Sequence, residues 1–122
     1  MIIIKTSTDS HKVMKVIANA LLNNKLAACI NMIPRMRSKY VMDGRITETR
    51  EVILLIKTTE KLEDKVYKTI KEHHNYEIPE ISTIQTSNVD KDYEQWLKDF
   101  DCVDIETANQ KINWDRVPIV NL

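Results

Sequence analysis

The only glycine of the chain, Gly44, follows Asp43 between two long segments that contain β-branched residues. An Asp-Gly pair favours a two-residue hairpin turn, because both positions of such a turn need positive φ angles. The flanking segments run from Ala27 to Tyr40 and from Arg45 to Thr58. A long antiparallel hairpin is therefore predicted at the centre of the chain.

Helical and extended segments alternate on both sides of this hairpin. Apolar residues recur at helical spacing after Ser10 and again after Thr59, whereas the β-branched runs are short and continuous. Besides the hairpin, we predict strands at Ile2 to Thr6 and at Ile81 to Thr86. A first helix should follow Thr8, Asp9 and Ser10, any of which could cap it, and should end at Asn23 or Asn24. A second helix is predicted from Thr59 to His74, and a short third helix from Asp90 to Phe100. The order βαββαβ predicts an α+β fold of the ferredoxin-like, split βαβ type, with an extra C-terminal helix and a tail.

Three local features refine this prediction. Pro34 cannot donate to a central strand ladder, so it predicts a bulge or an edge position within the first strand of the hairpin. The Thr58-Thr59 pair offers hydroxyl groups that could cap the second helix. In the third helix, we predict that the inward-facing side chains are those of Tyr93, Trp96 and Leu97.

Composition and charge exclude several classes of protein. The 122 residues include 43% hydrophobic and 30% charged residues, which is typical of one folded domain. Lys and Arg number 18, and Asp and Glu also number 18, so no global positive field favours binding to nucleic acid or to an anionic membrane. We expect neither partner.

The number and spacing of the cysteines favour a reducing compartment, and the first residues favour a protein without a targeting segment. Cys29 and Cys102 are far apart and form no CxxC motif, which argues against a disulfide scaffold. The opening MIII run is too short for a signal peptide or a membrane span. A cytoplasmic location is the resulting expectation.

Cys29 and the segment HHNYEIPE, residues 73–80, carry the chemically interesting side chains. A thiolate is a good ligand for soft metals, although a cysteine in the run LAACI is also typical of core packing. His73 and His74 lie at a predicted helix end and could bind a metal ion or form a solvated terminal turn. Tyr76, Glu77 and Glu80 follow in one loop and could line a polar cleft. No spacing indicates a catalytic triad, and we expect no enzyme.

Four segments in this order and spacing resemble the CutA divalent-cation tolerance family. They are KLAACINMIP, YVMDGRI, VILLIKTT and HHNYEIPEI, and the resemblance spans about residues 3–100. It implies a homotrimer of ferredoxin-like subunits, similar in assembly to the PII signalling proteins. The long second and third strands would reach across to neighbouring subunits.

The resemblance also implies candidate metal ligands. Cys29 and His73 match positions that have been taken as metal ligands in the family, and Glu77 could complete the coordination of Cu²⁺ or another divalent cation. Lys5 stands where some members carry a second thiol, so we expect weak binding that folding does not require. In a trimer of this type, Lys57 would lie near the loop of Tyr76, and the cleft would be lined by Lys57, His74, Tyr76 and Glu80.

Two functions therefore remain open. The first is a trimeric protein that binds copper or another divalent ion in metal-ion tolerance or response. The second is a PII-like trimeric scaffold or signalling protein whose metal binding is incidental and whose protein partner is unknown. The first 100 residues would form the CutA-like domain. Residues 101–122 would form a C-terminal extension that docks on the same trimer, on the same or the adjacent subunit, with Trp114 as its main anchor.

Overall fold

A computed structural model describes residues 1–102 of the chain, with side-chain environments given for residues 1–100. It contains four strands and three α-helices. In chain order they are β1 (Ile2–Thr8), α1 (His11–Asn23), β2 (Cys29–Met42), β3 (Arg45–Thr58), α2 (Glu63–His73), β4 (Ile81–Gln85) and α3 (Lys91–Lys98). This order confirms the predicted ferredoxin-like fold.

The four strands form one antiparallel sheet in the order β2-β3-β1-β4. Strand β1 is central, and Ile3 pairs with Lys57 of β3 on one side and with Ile84 of β4 on the other. Within residues 1–102, β2 pairs only with β3. The outer halves of these two strands extend beyond β1, whose last pairing is between Thr8 and Val52. The outer part of the hairpin is therefore a two-stranded ribbon.

Among the described residues, α1 and α2 cover one face of the sheet and leave most of the other face open. Alternate residues of β1 and β3 point towards α1 and α2 and are buried there, as period-2 alternation requires. The core contains Ile2, Ile4, Met14, Ile17, Ala18, Leu21, Ala27, Val52, Leu54, Ile56, Val66 and Ile70. The intervening strand residues form an open face, which carries the side chains discussed below.

The start of the first helix agrees with the sequence prediction, whereas the predicted start of the second helix does not. The Ser10 hydroxyl accepts a hydrogen bond from the backbone of Val13, and the Asp90 carboxylate caps α3. The predicted cap of the second helix by the Thr58-Thr59 pair is wrong. The Thr58 hydroxyl donates to the Leu26 carbonyl at 2.6 Å, and Thr59 makes no cap hydrogen bond. A 3₁₀ turn precedes α2 and takes the place of a capped start.

The inward-facing residues of α3 were predicted correctly only in part. Leu97 is fully buried and Tyr93 is half-buried, but Trp96 is 55% exposed. The Trp96 ring stacks on Tyr93 at a centroid distance of 5.6 Å. The indole therefore packs along the helix surface and does not enter the core.

The hairpin has the predicted turn and the predicted bulge. Asp43 and Gly44 have φ angles of +52° and +74°, as a turn with two positive φ angles requires. Ile33 pairs with Ile53 and Met36 pairs with Glu51, so Pro34 and Arg35 form a bulge in β2. The extra residue changes which side chains of β2 lie on the open face.

The remaining sequence prediction concerns the C-terminal extension. Asp101 and Cys102 belong to a 3₁₀ turn that follows α3. The rest of the extension, including Trp114, lies outside the described residues, so its docking stays a prediction.

Candidate functional site

A cleft of about 800 Å³ lies over the open face of the sheet, between the ribbon and the loop that follows α2. This volume is within the range of small-molecule sites in proteins. Its walls come from β1, from one face of the ribbon and from the loop: Lys5, Ser7, Asp9, Met36, Ser38, Tyr40, Met42, Thr49, Glu51, Tyr76, Glu77, Ile78 and Glu80. The cleft therefore combines carboxylates with thioether and aromatic surface.

Alternation along the strands explains which ribbon residues line the cleft. Beyond the bulge, Met36 and Ser38 pair with Glu51 and Thr49, which continue the open face of β3. Tyr40 lies on the same face, and its hydroxyl is 2.8 Å from the Thr49 hydroxyl. Without the bulge, the opposite set of β2 side chains would face the cleft.

Asn75 fixes the loop to the end of β1. Its amide oxygen accepts from the Thr8 hydroxyl at 2.6 Å, and its amide nitrogen donates to the Asp9 carboxylate at 2.7 Å. These bonds link residues 66 and 67 positions apart in the chain. One short side chain therefore sets the position of the loop relative to the sheet.

His74 reinforces this attachment with both of its ring nitrogens. Nε2 lies 2.8 Å from the Ser7 carbonyl oxygen, and the backbone N–H of Tyr76 donates to Nδ1 at 3.0 Å. A carbonyl oxygen only accepts, so Nε2 carries the proton and Nδ1 the lone pair. In this arrangement neither nitrogen is available to a metal ion. His74 therefore positions the loop behind the cleft and does not line it.

Tyr76 closes one side of the cleft through a hydrogen bond to Glu51. Its hydroxyl donates to the Glu51 carboxylate at 2.7 Å, and its ring contacts that of His74 at a centroid distance of 4.9 Å. Burial, the hydrogen bond to Glu51 and the negative charge of Glu51 raise the pKa of the Tyr76 phenol well above its usual range. The phenol therefore stays protonated as a donor over the whole physiological range.

This raised pKa gives a testable pH dependence. The folded-state pKa lies above the unfolded value of about 10, so the contribution of Tyr76 to stability is fully present below about pH 10 and is lost as the pH rises through the folded-state pKa. In a spectrophotometric titration, part of the phenolate absorbance should develop above the ordinary tyrosine range. That part should disappear in Tyr76→Phe and remain in the control Tyr40→Phe. If phenolate absorbance still develops above the ordinary tyrosine range in Tyr76→Phe, the raised pKa does not belong to Tyr76.

Lys5 is held by the loop on the same face. Its ammonium lies 3.3 Å from the Glu80 carboxylate, which also accepts from the Ser82 hydroxyl at 3.2 Å. Both charged side chains are partly exposed, so the ion pair adds little stability but orients Lys5 along the cleft wall. Lys5, which stands where some family members carry a second thiol, thus has its positive charge largely compensated by Glu80.

Within one chain, the predicted metal ligands lie at opposite ends of the sheet. Cys29 pairs with Lys57, which pairs with Ile3, whereas the loop of His73 and Glu77 is bound to the far end of β1. Ile3 and Ser7 are four residues apart on that strand, or about 13 Å. Among residues 1–102, no group of three or more His, Cys, Asp or Glu residues could hold a metal ion. The three predicted ligands are therefore not brought together in a single subunit.

Lys57 also lies at the Cys29 end, away from the cleft. Its ammonium donates to the Tyr93 hydroxyl at 3.2 Å and lies 5.4 Å from the centre of that ring. Of the predicted cleft residues, Tyr76 and Glu80 line the cleft of the same chain. Whether Lys57 approaches the cleft of a neighbouring subunit stays a prediction.

Comparison with known proteins places this fold and site in a family. The sequence model described as "CutA1 divalent ion tolerance protein" matches residues 2–100. The chain belongs to the CutA1 divalent ion tolerance family. This confirms the resemblance inferred from the four sequence segments. The part of the chain that carries the sheet, the cleft and the loop is thus the part that the CutA1 family shares.

Individual CutA relatives agree with the family assignment. The divalent-cation tolerance protein CutA of Thermus thermophilus is 33% identical over 97 residues, which cover 80% of this chain and 94% of that protein. The human protein CutA is 35% identical over 89 residues, which cover 73% of this chain and 50% of that protein. Among solved structures, CutA1 of Ehrlichia chaffeensis has a TM-score of 0.78 at 32% identity, covering 81% of this chain and 92% of that one. CutA1 of Pyrococcus horikoshii has a TM-score of 0.76 at 33% identity, covering 82% of this chain and 97% of that one.

The sequence analysis did not identify several of the residues that line the cleft. Asp9, Glu51 and the two methionines Met36 and Met42 line the cleft but lie far from the HHNYEIPE motif. Alternation of side chains on both sides of Asp43-Gly44 could have grouped the ribbon residues into two faces. It could not have shown which group of β2 residues lies over the open face of the sheet, because the bulge decides that. The Glu51–Tyr76 contact spans 25 residues and carries no local sequence signal.

Proposed function

We propose that this CutA family member is a homotrimer that binds copper or another divalent cation weakly, as part of metal-ion tolerance or response. The observation that carries this proposal is the arrangement of the candidate ligands. Cys29 lies at one end of the open sheet face, and His73 and Glu77 lie at the other. A site that uses all three therefore needs at least two chains.

The open face of the sheet supports an assembly. Its apolar side chains come from all four strands and are only half-buried or exposed in one chain: Ile3, Ile33, Ile53, Leu55 and Ile84. A contiguous apolar surface of this kind is typical of a protein contact. Interdigitated subunits would bury it together with the edges that β2 and β4 leave open in the described part of the chain.

The candidate ligands are chemically free to bind an ion. Among residues 1–102, the side chains of Cys29, His73 and Glu77 have no hydrogen bond or ion pair, and His73 and Glu77 are exposed. A thiolate, an imidazole and a carboxylate form a mixed donor set that suits copper or zinc. His74 is excluded from this set by its two hydrogen bonds.

Copper titration of the reduced protein tests the metal proposal. We expect a modest isotherm that weakens by about tenfold or more in Cys29→Ser and in His73→Ala, because each change removes one donor atom. His11→Ala is the matched control, since His11 is an exposed imidazole at the start of α1. Unchanged isotherms in both ligand variants would overturn the proposed site. Sedimentation equilibrium tests the assembly, for which the expected mass is three times that of the subunit.

A second function is favoured by a different observation. The cleft is already formed in one chain, and its loop is held by hydrogen bonds that need no metal ion. A PII-like trimeric scaffold or signalling protein could use such a cleft while binding metal only incidentally. Recovery of a protein partner from metal-free buffer, with no loss in Cys29→Ser, would favour this alternative.

The remaining parts of the proposal concern chemistry and location. We infer that the protein acts by binding and not by catalysis, and that it acts in the cytoplasm without a nucleic-acid or membrane partner. The balanced charge of the chain supports the part of this inference that concerns nucleic-acid and membrane partners. Within residues 1–102, no helix is both long and apolar enough to cross a bilayer.

A further inference from the structure

A second pocket, of about 510 Å³, lies beside the cleft, between α2 and the start of β4. This volume is also within the range of small-molecule sites. The loop residues 76–78 form a wall of both the cleft and this pocket. The complete set of walls is Tyr67, Lys71, Tyr76, Glu77, Ile78, Pro79 and Ile81. All of them come from one chain, so the pocket exists without the proposed homotrimer.

The apolar part of the pocket is held in place by the fold. Tyr67 and Ile81 pack against the hydrophobic core, and the Tyr67 hydroxyl lies 2.8 Å from the hydroxyl of Thr83 in β4. Pro79 is half-buried, and its ring fixes the backbone φ angle. These side chains therefore form an apolar surface that is already ordered before any ligand binds.

Two opposite charges lie on the walls of the same pocket. Lys71 is exposed in the last turn of α2, and Glu77 is exposed in the loop. Within residues 1–102, neither side chain has a hydrogen bond or an ion pair, so the two do not bind each other. Among the described residues that line the pocket, they are the only charged ones. The pocket thus offers one unpaired ammonium and one unpaired carboxylate beside an apolar surface.

We propose that this pocket binds a small zwitterion, namely a free α-amino acid with a large apolar side chain. Lys71 would bind the carboxylate of the ligand and Glu77 its ammonium group, as charge-assisted hydrogen bonds. The apolar side chain of the ligand would lie against Tyr67 and Ile81. An anion alone would face the charge of Glu77 and a cation alone that of Lys71, whereas a zwitterion complements both. This site goes beyond the proposed metal binding.

Ligands that each lack one feature of the zwitterion test the proposal. The probes are L-phenylalanine, phenylpropionate without the ammonium group, phenylethylamine without the carboxylate, and glycine without the apolar side chain. NMR titration of the backbone amide resonances measures dissociation constants into the millimolar range and locates the binding site. L-Phenylalanine should bind about tenfold or more tightly than each of the other three, because each loses one charge-assisted contact or the apolar contact.

Variants assign each charge of the ligand to one residue. Lys71→Gln should weaken binding of L-phenylalanine but not of phenylethylamine, which has no carboxylate for Lys71 to bind. Glu77→Gln should weaken binding of L-phenylalanine but not of phenylpropionate. Lys68→Gln is the matched control, since Lys68 is an exposed lysine of α2 outside the pocket. Glu77 is also a candidate metal ligand, so all titrations contain a chelator and no added metal.

Three results would overturn the proposal. The first is that L-phenylalanine at millimolar concentrations does not shift the amide resonances of the pocket residues. The second is that phenylethylamine or phenylpropionate binds as tightly as L-phenylalanine. The third is that Lys71→Gln weakens L-phenylalanine and phenylethylamine equally, which would indicate a structural effect. None of these results depends on copper binding, so the zwitterion site and the proposed metal site can fail separately.

Discussion

Leu55→Asp is expected to convert the proposed homotrimer into folded monomers at micromolar concentration. Leu55 lies at the centre of the open face, where it pairs with Lys5 of β1 and Asn31 of β2 and is only half-buried in one chain. A carboxylate there stays hydrated in the monomer but would be desolvated in an assembly that covers the face. The penalty in a buried interface is on the order of several kcal/mol for each ion. Light scattering measures the change in mass, and circular dichroism checks that the fold is kept.

The matched control uses an apolar residue on the opposite side of the molecule. Val16 is 40% exposed on α1, so Val16→Asp introduces the same charge without touching the open face. It should leave the mass unchanged. A Leu55→Asp protein that keeps the mass of the unaltered protein would show that the open face is not the contact surface.

Ile56→Ala is expected to give the largest loss of subunit stability. Ile56 is fully buried beneath the helices, between Ile4 of β1 and Ile30 of β2 in the sheet. Removing its branched side chain leaves a cavity and should lower the free energy of unfolding by about 2–5 kcal/mol. Urea denaturation measures the loss, and it is carried out at a fixed protein concentration because the proposed assembly would make the midpoint concentration-dependent.

Val16→Ala serves as the control for the core substitution. Its side chain is partly exposed, so the change should shift stability by no more than about 0.5 kcal/mol. A similar midpoint for Ile56→Ala and Val16→Ala would contradict the assignment of Ile56 to the core. Comparing Ile56→Ala with Leu55→Asp also separates the two faces of β3, since one variant should lose stability and the other should lose assembly.

The local features of the fold could be predicted because they depend on neighbouring residues. The Asp43-Gly44 turn follows from the φ angles that these residues tolerate, and the start of α1 follows from the capping oxygens of Thr8, Asp9 and Ser10, of which the structure uses Ser10. The bulge at Pro34 follows from its missing donor. Each of these features depends on residues that are close together in the chain, so it can be predicted from the sequence.

Two errors in the helices have a common cause. A threonine before a helix can cap it, but the hydroxyl of Thr58 found a better partner in the Leu26 carbonyl, 32 residues away. Trp96 lies next to a buried leucine, but its indole stacks on Tyr93 at the surface. In both cases one specific side-chain contact decided the outcome: a tertiary hydrogen bond for Thr58, and ring stacking within α3 for Trp96.

The sequence by itself determined the fold class, the family and the residues capable of metal chemistry, because these depend on residue type, periodicity and spacing. Only the tertiary structure decided how those residues are grouped. The antiparallel order of the sheet separates Cys29 from His73 and Glu77, the bulge selects which face of β2 meets the cleft, and two hydrogen bonds remove His74 from the candidate ligands. Each of these outcomes depends on contacts between residues distant in the chain, and the spacing of residues along a chain does not specify such contacts.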